Sequence, residues 1–170
     1  MEATMVFIVG GLVAVLSWMT WEDTRYRAIS IWTFPVLFVG ILLGQAHFIS
    51  WAETLWMVKV NLVLLSVQLG GIWLYLILKH RALVNPMQGF IGWGDVLFWV
   101  AVLPAFSPLA FLLFYIVSLS VALLLHVTFR RSRLYGDATK IPLAGLQALV
   151  YSVWLLAYGF TNIPTWLTTL

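Results

Sequence analysis

Two aspartates stand at the edges of long apolar runs, where an acidic side chain is costly. Asp23 follows the first apolar run, and Asp95 closes the short segment Gly92-Trp93-Gly94-Asp95. A charge at such a boundary is by default a functional hypothesis. Burial and a second carboxylate nearby both favour the protonated form, so a close pair of carboxylates shares one proton. The ionised member can then activate water as a general base while the protonated member acts as a general acid.

Glycines flank the second aspartate on its N-terminal side. A glycine adopts conformations and permits close approaches that a residue with a Cβ would block. Gly92 and Gly94 are therefore predicted to shape an active-site loop in which an extended peptide can reach Asp95. The alternative for Asp95 is a helix cap, since aspartate is favoured at helix N-termini. The alternative for Asp23 is an interfacial ion pair with a nearby arginine.

Two further carboxylates are candidates for substrate contact. Glu22 precedes Asp23 but projects about 100° away from it on a helix, where solvent or an ion pair with Arg25 is the simpler role. Asp137 lies in an arginine-rich loop, where a salt bridge is the plain explanation. The three histidines show no metal-ligand spacing and cysteine is absent, so no metal site is expected. Water activation by a carboxylate pair needs neither a metal nor an organic cofactor.

The composition predicts an integral membrane protein. The chain has 170 residues, of which 63% are hydrophobic and 9% are charged, whereas soluble domains are about 45–50% apolar and about 25% charged. A soluble fold of this length would still need a polar shell. At ~20 residues per span, the apolar length permits five or six helices with short loops. The predicted fold class is all-α, with a single membrane domain over residues 1–170. The N-terminal residues lack the basic pattern of a cleavable secretory signal.

Six spans are predicted from the apolar runs. They lie at roughly 5–21, 31–46, 56–78, 95–105, 109–129 and 142–158. The uncharged stretch 96–129 amounts to about 50 Å of helix, which is too long for one crossing of a ~30 Å core. Pro104 and Pro108 mark a turn that divides it. Pro142 is well placed to open the last helix, because proline is favoured at helix starts.

The basic residues predict the orientation of these spans. With six spans, eight of the nine lysines and arginines fall on one side, namely Arg25, Arg27, Lys79, Arg81, Arg130, Arg131, Arg133 and Lys140. A five-span arrangement would divide them evenly. The positive-inside rule therefore favours six spans, with both termini outside and the first, third and fifth connections in the cytoplasm. Asp23 and Asp95 then lie at the same membrane face. The scattered basic residues indicate orientation and contact with anionic lipid rather than nucleic-acid binding.

Three short segments carry a resemblance to one family. The segment 23–33 (DTRYRAISIWT), after an apolar helix, resembles the aspartate-basic-Ile-Pro-Asn segment of prepilin peptidases. The segment 92–96 (GWGDV) matches the signature of the GxGD-type intramembrane aspartyl proteases, and the segment 141–145 (IPLAG) is similar to the opening of the last helix in that family. The three motifs occur in the expected order and are spread over most of the chain, from residue 23 to residue 145. The resemblance implies a type IV prepilin or preflagellin (archaellin) peptidase.

That resemblance implies a reaction, a partner and a location. The family removes the short basic leader of pilin-like or flagellin-like precursor proteins at the cytoplasmic face of a prokaryotic inner membrane, using two aspartates. Asp23 and Asp95 occupy those two positions. The family's larger members also carry paired CxxC motifs and methylate the new N-terminus. Because this chain has no cysteine, it is similar to the short, peptidase-only form, and methylation is not expected.

The chain departs from the family pattern at three positions. Ser30 and Ile31 stand where Pro-Asn is usual, and Leu97 stands where many members carry lysine. These departures bear on substrate preference more than on the chemistry.

Two other hypotheses stay open at the level of sequence. A small transporter or channel would use the carboxylates for proton or cation passage, with Asn61, Ser66 and Gln68 of the third span along its path. Those polar residues are otherwise explained as packing or cavity residues. A non-catalytic assembly protein would retain the fold without the reaction.

Overall fold

Helices make up nearly all of the described chain. The computed structural model describes residues 3–81, 91–129 and 142–158, together with Leu83 and Asn85. Helix accounts for 86% of these residues, and none of them lies in a β-strand, which confirms the all-α prediction. The six α-helices are α1 (Ala3–Tyr26), α2 (Thr33–Gln45), α3 (Trp51–His80), α4 (Trp93–Val102), α5 (Pro108–Phe129) and α6 (Leu143–Tyr158). A single 3₁₀ turn, Leu103–Ala105, follows α4.

Three of the six helices are long and apolar enough to cross a membrane. They comprise Thr4–Tyr26, Trp51–His80 and Pro108–Thr128. The helices α2, α4 and α6 are apolar but contain only 13, 10 and 16 residues, whereas a full crossing needs about 20. Within the described residues, the helices match the six predicted spans in number and order, and three of them have the length of a complete span.

The C-terminal end of α1 differs from the prediction in a way that affects the site. The sequence placed the helix end near residue 21, but α1 continues to Tyr26, so that Glu22 and Asp23 are helical. The Thr24 hydroxyl donates to the carbonyl oxygen of Thr20 at 2.7 Å, which lets a polar residue fit within the helix. Arg27 directly follows the helix, and its φ of 55° is a left-handed conformation typical of the residue after a helix C-terminus.

The start of α3 also differs from the predicted boundary. The helix begins at Trp51 rather than near residue 56. The Ser50 hydroxyl accepts a hydrogen bond from the Glu53 N–H at 3.3 Å, and the Glu53 carboxylate accepts one from the Ser50 N–H at 3.1 Å. This reciprocal pair is a capping box, which satisfies backbone donors that the first turn leaves without helical partners.

The helices pack around α1 and α6, which share the most extensive interface. In addition, α1 contacts α2, α2 contacts α4, and α5 packs against α6. The fully buried apolar side chains at the centre include Leu16, Met19, Leu37, Phe98 and Phe111. Since α1 carries Asp23, α4 carries Asp95 and both of these helices contact α6, the core places the two carboxylates around α6.

A buried amide attaches α3 to the rest of the bundle. Asn61 is fully buried, and its Nδ2 donates to the carbonyl oxygens of Leu103 at 2.9 Å and Phe106 at 2.8 Å. These carbonyls lie at the 3₁₀ turn after α4, where the helix no longer supplies N–H partners. The Gln45 amide donates to the neighbouring carbonyl of Ala105 at 3.0 Å. Asn61 is thus a packing residue that links two helices through the turn.

Replacing Asn61 by leucine is expected to destabilise the fold. Asn61→Leu removes both donors and leaves two carbonyl oxygens unsatisfied, which should lower the free energy of unfolding by about 2–4 kcal/mol. Thermal unfolding of the purified protein in detergent measures the change. Ser66→Ala is the matched control, because the exposed Ser66 hydroxyl bonds only to the Leu62 carbonyl of its own helix, at 2.7 Å. Equal unfolding temperatures for the two variants would contradict the role assigned to Asn61.

Candidate active site

Both candidate catalytic aspartates meet at the N-terminus of α6. The Asp23 Oδ2 accepts a hydrogen bond from the Gly145 N–H at 2.7 Å, and the Asp95 Oδ1 accepts one from the Ala144 N–H at 2.9 Å. Ala144 and Gly145 are consecutive residues, whose backbone nitrogens lie less than about 4 Å apart. The two bonded carboxylate oxygens are therefore at most about 10 Å apart. Residues 72 positions apart in sequence share one helix terminus.

The local sequence explains why these two N–H groups are available. The first N–H groups of a helix have no intrahelical acceptor. The first such bond of α6 runs from the Leu146 N–H to the carbonyl of Pro142 at 3.0 Å. The N–H groups of Ala144 and Gly145 precede it and are taken by the two carboxylates. Because a helix N-terminus carries a partial positive charge, it favours negative charge on the groups that it holds.

The second oxygen of Asp95 binds within its own helix start. Asp95 Oδ2 accepts a hydrogen bond from the Gly92 N–H at 3.1 Å. The predicted helix cap is therefore present, with the carboxylate reaching back from the third residue of α4. It accounts for one oxygen only, since the other oxygen bonds to Ala144. Asp95 thus joins the starts of α4 and α6.

The two glycines before Asp95 have different steric surroundings. A Cβ on Gly92 would lie 2.9 Å from Asp95 Oδ2, so the close approach of the carboxylate favours glycine there. Gly92 has φ −76° and ψ 142°, which is extended backbone that any residue adopts. Gly94 is inside α4, and among the described residues the nearest atom to a Cβ on it would be Ile29 Cδ1, at 3.9 Å. That is an ordinary contact, so close approach explains Gly92 and not Gly94.

A tight contact between α1 and α6 surrounds Asp23. Asp23 is 8% exposed, and a Cβ on Gly145 would lie 2.6 Å from the Asp23 Cβ. The Thr20 hydroxyl lies one turn earlier on α1, 2.9 Å from the Gly145 carbonyl and 2.8 Å from the Leu16 carbonyl. Sequence analysis missed both Thr20 and the steric role of Gly145. The only signal for Gly145 was its place in the segment 141–145.

One of the two candidate substrate-contact residues, Glu22, lies within the described part of the chain. The Glu22 carboxylate binds Ser30: Oε2 accepts from the backbone N–H at 2.8 Å and Oε1 accepts from the hydroxyl at 2.6 Å. Ser30 takes the place of Arg25 as the partner, because the chain turns back after α1 and brings Ser30 to Glu22, while Glu22 stays partly exposed to solvent as the other expectation had it. Asp137 lies outside the described residues.

The described residues offer carboxylates and backbone amides as the chemical groups of the site. Among them, no group of three or more histidine, cysteine, aspartate or glutamate side chains could hold a metal ion. Two of the polar residues of α3 have different surroundings. Asn61 is buried against the 3₁₀ turn, whereas Ser66 is exposed and bonded to its own helix. The arrangement is suited to acid–base chemistry by two carboxylates.

One buried amide near the site has no evident structural role. Gln147 is fully buried on α6, and neither its Oε1 nor its Nε2 forms a hydrogen bond with the described residues. It follows Ala144 by three residues, which puts the two on the same face of α6. Buried polar groups without partners are costly, and natural proteins tolerate such local violations mainly at functional sites. A lone glutamine in an apolar helix gave no sequence signal of this.

Replacing Gln147 by leucine is expected to raise stability. Gln147→Leu keeps a similar side-chain volume and removes a buried amide that lacks partners, which should increase the free energy of unfolding by about 1–3 kcal/mol. The unfolding temperature in detergent is the measurement. Asn61→Leu serves as the comparison, since it makes the same change at a buried amide whose nitrogen is bonded twice. If both variants lose stability equally, the account of Gln147 is wrong.

The fold and the site together define a helical protein in which two carboxylates converge on one helix N-terminus. In comparisons with protein-family models, with curated proteins and with solved structures, nothing matches this chain. A function is therefore inferred from the geometry of the site and from the resemblance of its motifs.

Proposed function

We propose that this chain is an integral membrane aspartyl endopeptidase of the prepilin-peptidase type. It removes the short basic leader of pilin-like or flagellin-like precursors at the cytoplasmic face of a prokaryotic membrane. One observation carries the proposal, namely that Asp23 and Asp95 accept hydrogen bonds from consecutive N–H groups of α6. Aspartic-protease chemistry requires two carboxyl groups close to each other, and here both are bound at one helix N-terminus.

The reaction uses one carboxylate as base and the other as acid. The ionised carboxylate takes a proton from water, whose oxygen attacks the carbonyl carbon of the scissile peptide bond. The protonated carboxyl group donates its proton to the carbonyl oxygen. When the tetrahedral intermediate collapses, the C–N bond breaks and the leaving amine receives a proton from the carboxyl group that the attack protonated. The other carboxylate takes back a proton from a hydroxyl of the intermediate, which leaves a carboxylic acid product and restores the starting pair. The N–H groups of Ala144 and Gly145 hold the carboxylates in position, which supplies orientation before the substrate arrives.

Exposed apolar side chains support the location in a membrane. Large hydrophobic residues remain uncovered on the outer surfaces of the long helices, for example Phe7 at 80%, Val67 at 68% and Leu124 at 67% exposure. Soluble monomers rarely expose contiguous apolar surface on this scale. In a bilayer these side chains face lipid, and the shorter helices α2, α4 and α6 pack among the long ones.

A group of exposed aromatic side chains supports a location of the site near the membrane surface. The rings of Trp18 and Trp21 lie 5.1 Å apart, and those of Trp21 and Tyr26 lie 5.3 Å apart. All three side chains are exposed near the C-terminal end of α1, as is Trp93 at the start of α4. Tryptophan and tyrosine are enriched at membrane–water interfaces. These aromatic side chains support a location of the carboxylates near the interface, where a leader peptide in water can reach them.

Co-expression with a pilin-like precursor tests the proposal. Cells that produce both proteins should convert the precursor to a shorter form, with a new N-terminus that mass spectrometry locates after the basic leader. Cells that produce the precursor alone provide the control. A precursor that keeps its leader in the presence of this chain, shown to be in the membrane fraction, would overturn the proposal.

A further inference from the structure

The connection between α1 and α2 lies between the two aspartate-bearing helices. It comprises residues 27–32, and two of these residues, Ile29 and Ser30, lie close to residues that precede the aspartates. Glu22, which precedes Asp23, binds Ser30 of this connection. A Cβ built on Gly94, which precedes Asp95, would have Ile29 Cδ1 at 3.9 Å as its nearest described atom outside the backbone of α4. One short segment therefore touches the immediate neighbours of both carboxylates.

Ser30 is held from two sides. Both carboxylate oxygens of Glu22 accept hydrogen bonds from it, at 2.6 Å from the hydroxyl and 2.8 Å from the N–H. Hydrogen bonds to an ionised acceptor are short and stronger than neutral ones. On the other side, the Ser30 carbonyl accepts from the Thr33 N–H at 3.0 Å and from the Thr33 hydroxyl at 2.7 Å. Glu22 thereby ties the start of α2 to the last turns of α1.

Ile29, the residue before Ser30, lies close to the start of α4. Its Cδ1 lies 3.9 Å from the position that a Cβ on Gly94 would take, and the side chain packs against the buried core. Because Ile29 is adjacent to Ser30, a movement of Ser30 away from Glu22 would also move Ile29 relative to α4.

We propose that Glu22 is a positioning residue, which holds Ser30 so that Ile29 fixes the start of α4, and with it Asp95, relative to Asp23. This role of Glu22 explains why the chain has Ser30 at the position where the family that it resembles carries proline. A proline has neither an N–H nor a hydroxyl to give to Glu22, whereas serine supplies both donors. The effect on catalysis rests on the proposed peptidase function, but the effect on the distance between the connection and α4 does not.

Crosslinking measures the distance without any assumption about activity. The chain contains no cysteine, so Ile29→Cys and Gly94→Cys introduce a single reactive pair. A short bifunctional thiol reagent should join the two in the otherwise unchanged protein. Adding Glu22→Ala should slow crosslinking by about 10-fold, in line with the effect of small misplacements on reactions between held groups. An unchanged crosslinking rate would overturn the proposal.

A second glutamate provides the matched control. Glu53 accepts hydrogen bonds from the N–H and the hydroxyl of Ser50 at 3.1 and 3.0 Å, which repeats the chemistry of Glu22 and Ser30 beyond the far end of α2. Glu53→Ala should leave crosslinking between positions 29 and 94 unchanged. If Glu53→Ala slows it as much as Glu22→Ala does, the effect is a general loss of structure and the proposal fails.

Kinetics of leader removal distinguish positioning from substrate contact. Glu22→Ala should lower kcat by about 10- to 100-fold and leave KM within about twofold. Glu22→Gln retains one acceptor oxygen and should recover part of the rate, while Ser30→Ala retains the N–H donor and should lose less than Glu22→Ala. A rise in KM alone would assign Glu22 to substrate contact and overturn the proposal. If the unaltered chain cleaves no precursor, the peptidase function fails, and the crosslinking result still decides the role of Glu22.

Discussion

Replacing either Asp23 or Asp95 by asparagine is expected to abolish leader removal while the protein stays folded in the membrane. An amide can neither take a proton from water nor donate one from a carboxyl group at neutral pH, so each variant lacks one half of the acid–base pair. Proton transfer by a positioned side chain typically contributes 10²–10⁴-fold to the rate. We expect each single variant to lose about that factor or more, and the double variant to lose little further, since the two groups act as one unit.

The hydrogen bonds of the site indicate how well each variant keeps its structure. Asparagine at position 23 retains an oxygen that can accept a hydrogen bond from the Gly145 N–H. The unfolding temperature of Asp23→Asn should therefore be close to that of the unaltered protein. At position 95 the two oxygens serve the N–H groups of Gly92 and Ala144, and asparagine can serve only one. Asp95→Asn should therefore lose about 1–3 kcal/mol of stability.

The measurement pairs precursor processing with unfolding temperature. Glu53→Gln is the matched control, because it makes the same carboxylate-to-amide change at the capping box of α3, away from α6. It should process precursor at the unaltered rate. Processing by Asp23→Asn or Asp95→Asn at a rate close to that of Glu53→Gln would refute the shared role of the aspartates.

The helices were predictable from sequence because their signal is local. Long apolar runs broken by proline and by charged clusters gave all six elements in order. The end of α1 was misplaced, since charged residues predict a loop even where helical geometry continues. Here the Thr24 hydroxyl donates a hydrogen bond to the Thr20 carbonyl, and the helix continues to Tyr26. Side-chain bonds of this kind decide a boundary without leaving a periodic signal.

The proximity of the two aspartates was predictable from sequence, but most of the contacts around them were not. Motif position and charge asymmetry pointed to Asp23 and Asp95. The roles of Gly145, Ser30 and Gln147 depend instead on contacts between distant helices, which no local pattern encodes. Glu22 illustrates the difference. Its neighbours in sequence predicted solvation or an ion pair with Arg25, whereas the turn after α1 makes Ser30 its hydrogen-bond partner.

Gly145→Ala is expected to remove most activity without altering either carboxyl group. The added methyl carbon would lie 2.6 Å from the Asp23 Cβ and 3.0 Å from its Oδ2. A Cβ is fixed to the backbone at both residues, so no side-chain rotation relieves the overlap and α1 must move relative to α6. Overpacking of this kind costs about 1–3 kcal/mol. A displacement of about 1 Å at a catalytic group costs about 100-fold in rate, so leader removal should fall by about that factor.

Substitutions at three glycines distinguish the effect of steric overlap at the site from the general effect of alanine on helix stability. At Gly92 the added carbon would meet Asp95 Oδ2 at 2.9 Å, an atom at the end of a side chain that can rotate, so Gly92→Ala should lose less activity than Gly145→Ala. At Gly10 of α1 a Cβ would have no neighbour within 4 Å among the described residues. Gly10→Ala should keep full activity and gain stability, because alanine favours helix by about 1 kcal/mol. The expected order of activity is Gly10→Ala, Gly92→Ala, Gly145→Ala. Full processing by Gly145→Ala would show that the close contact of α1 with α6 does not position Asp23.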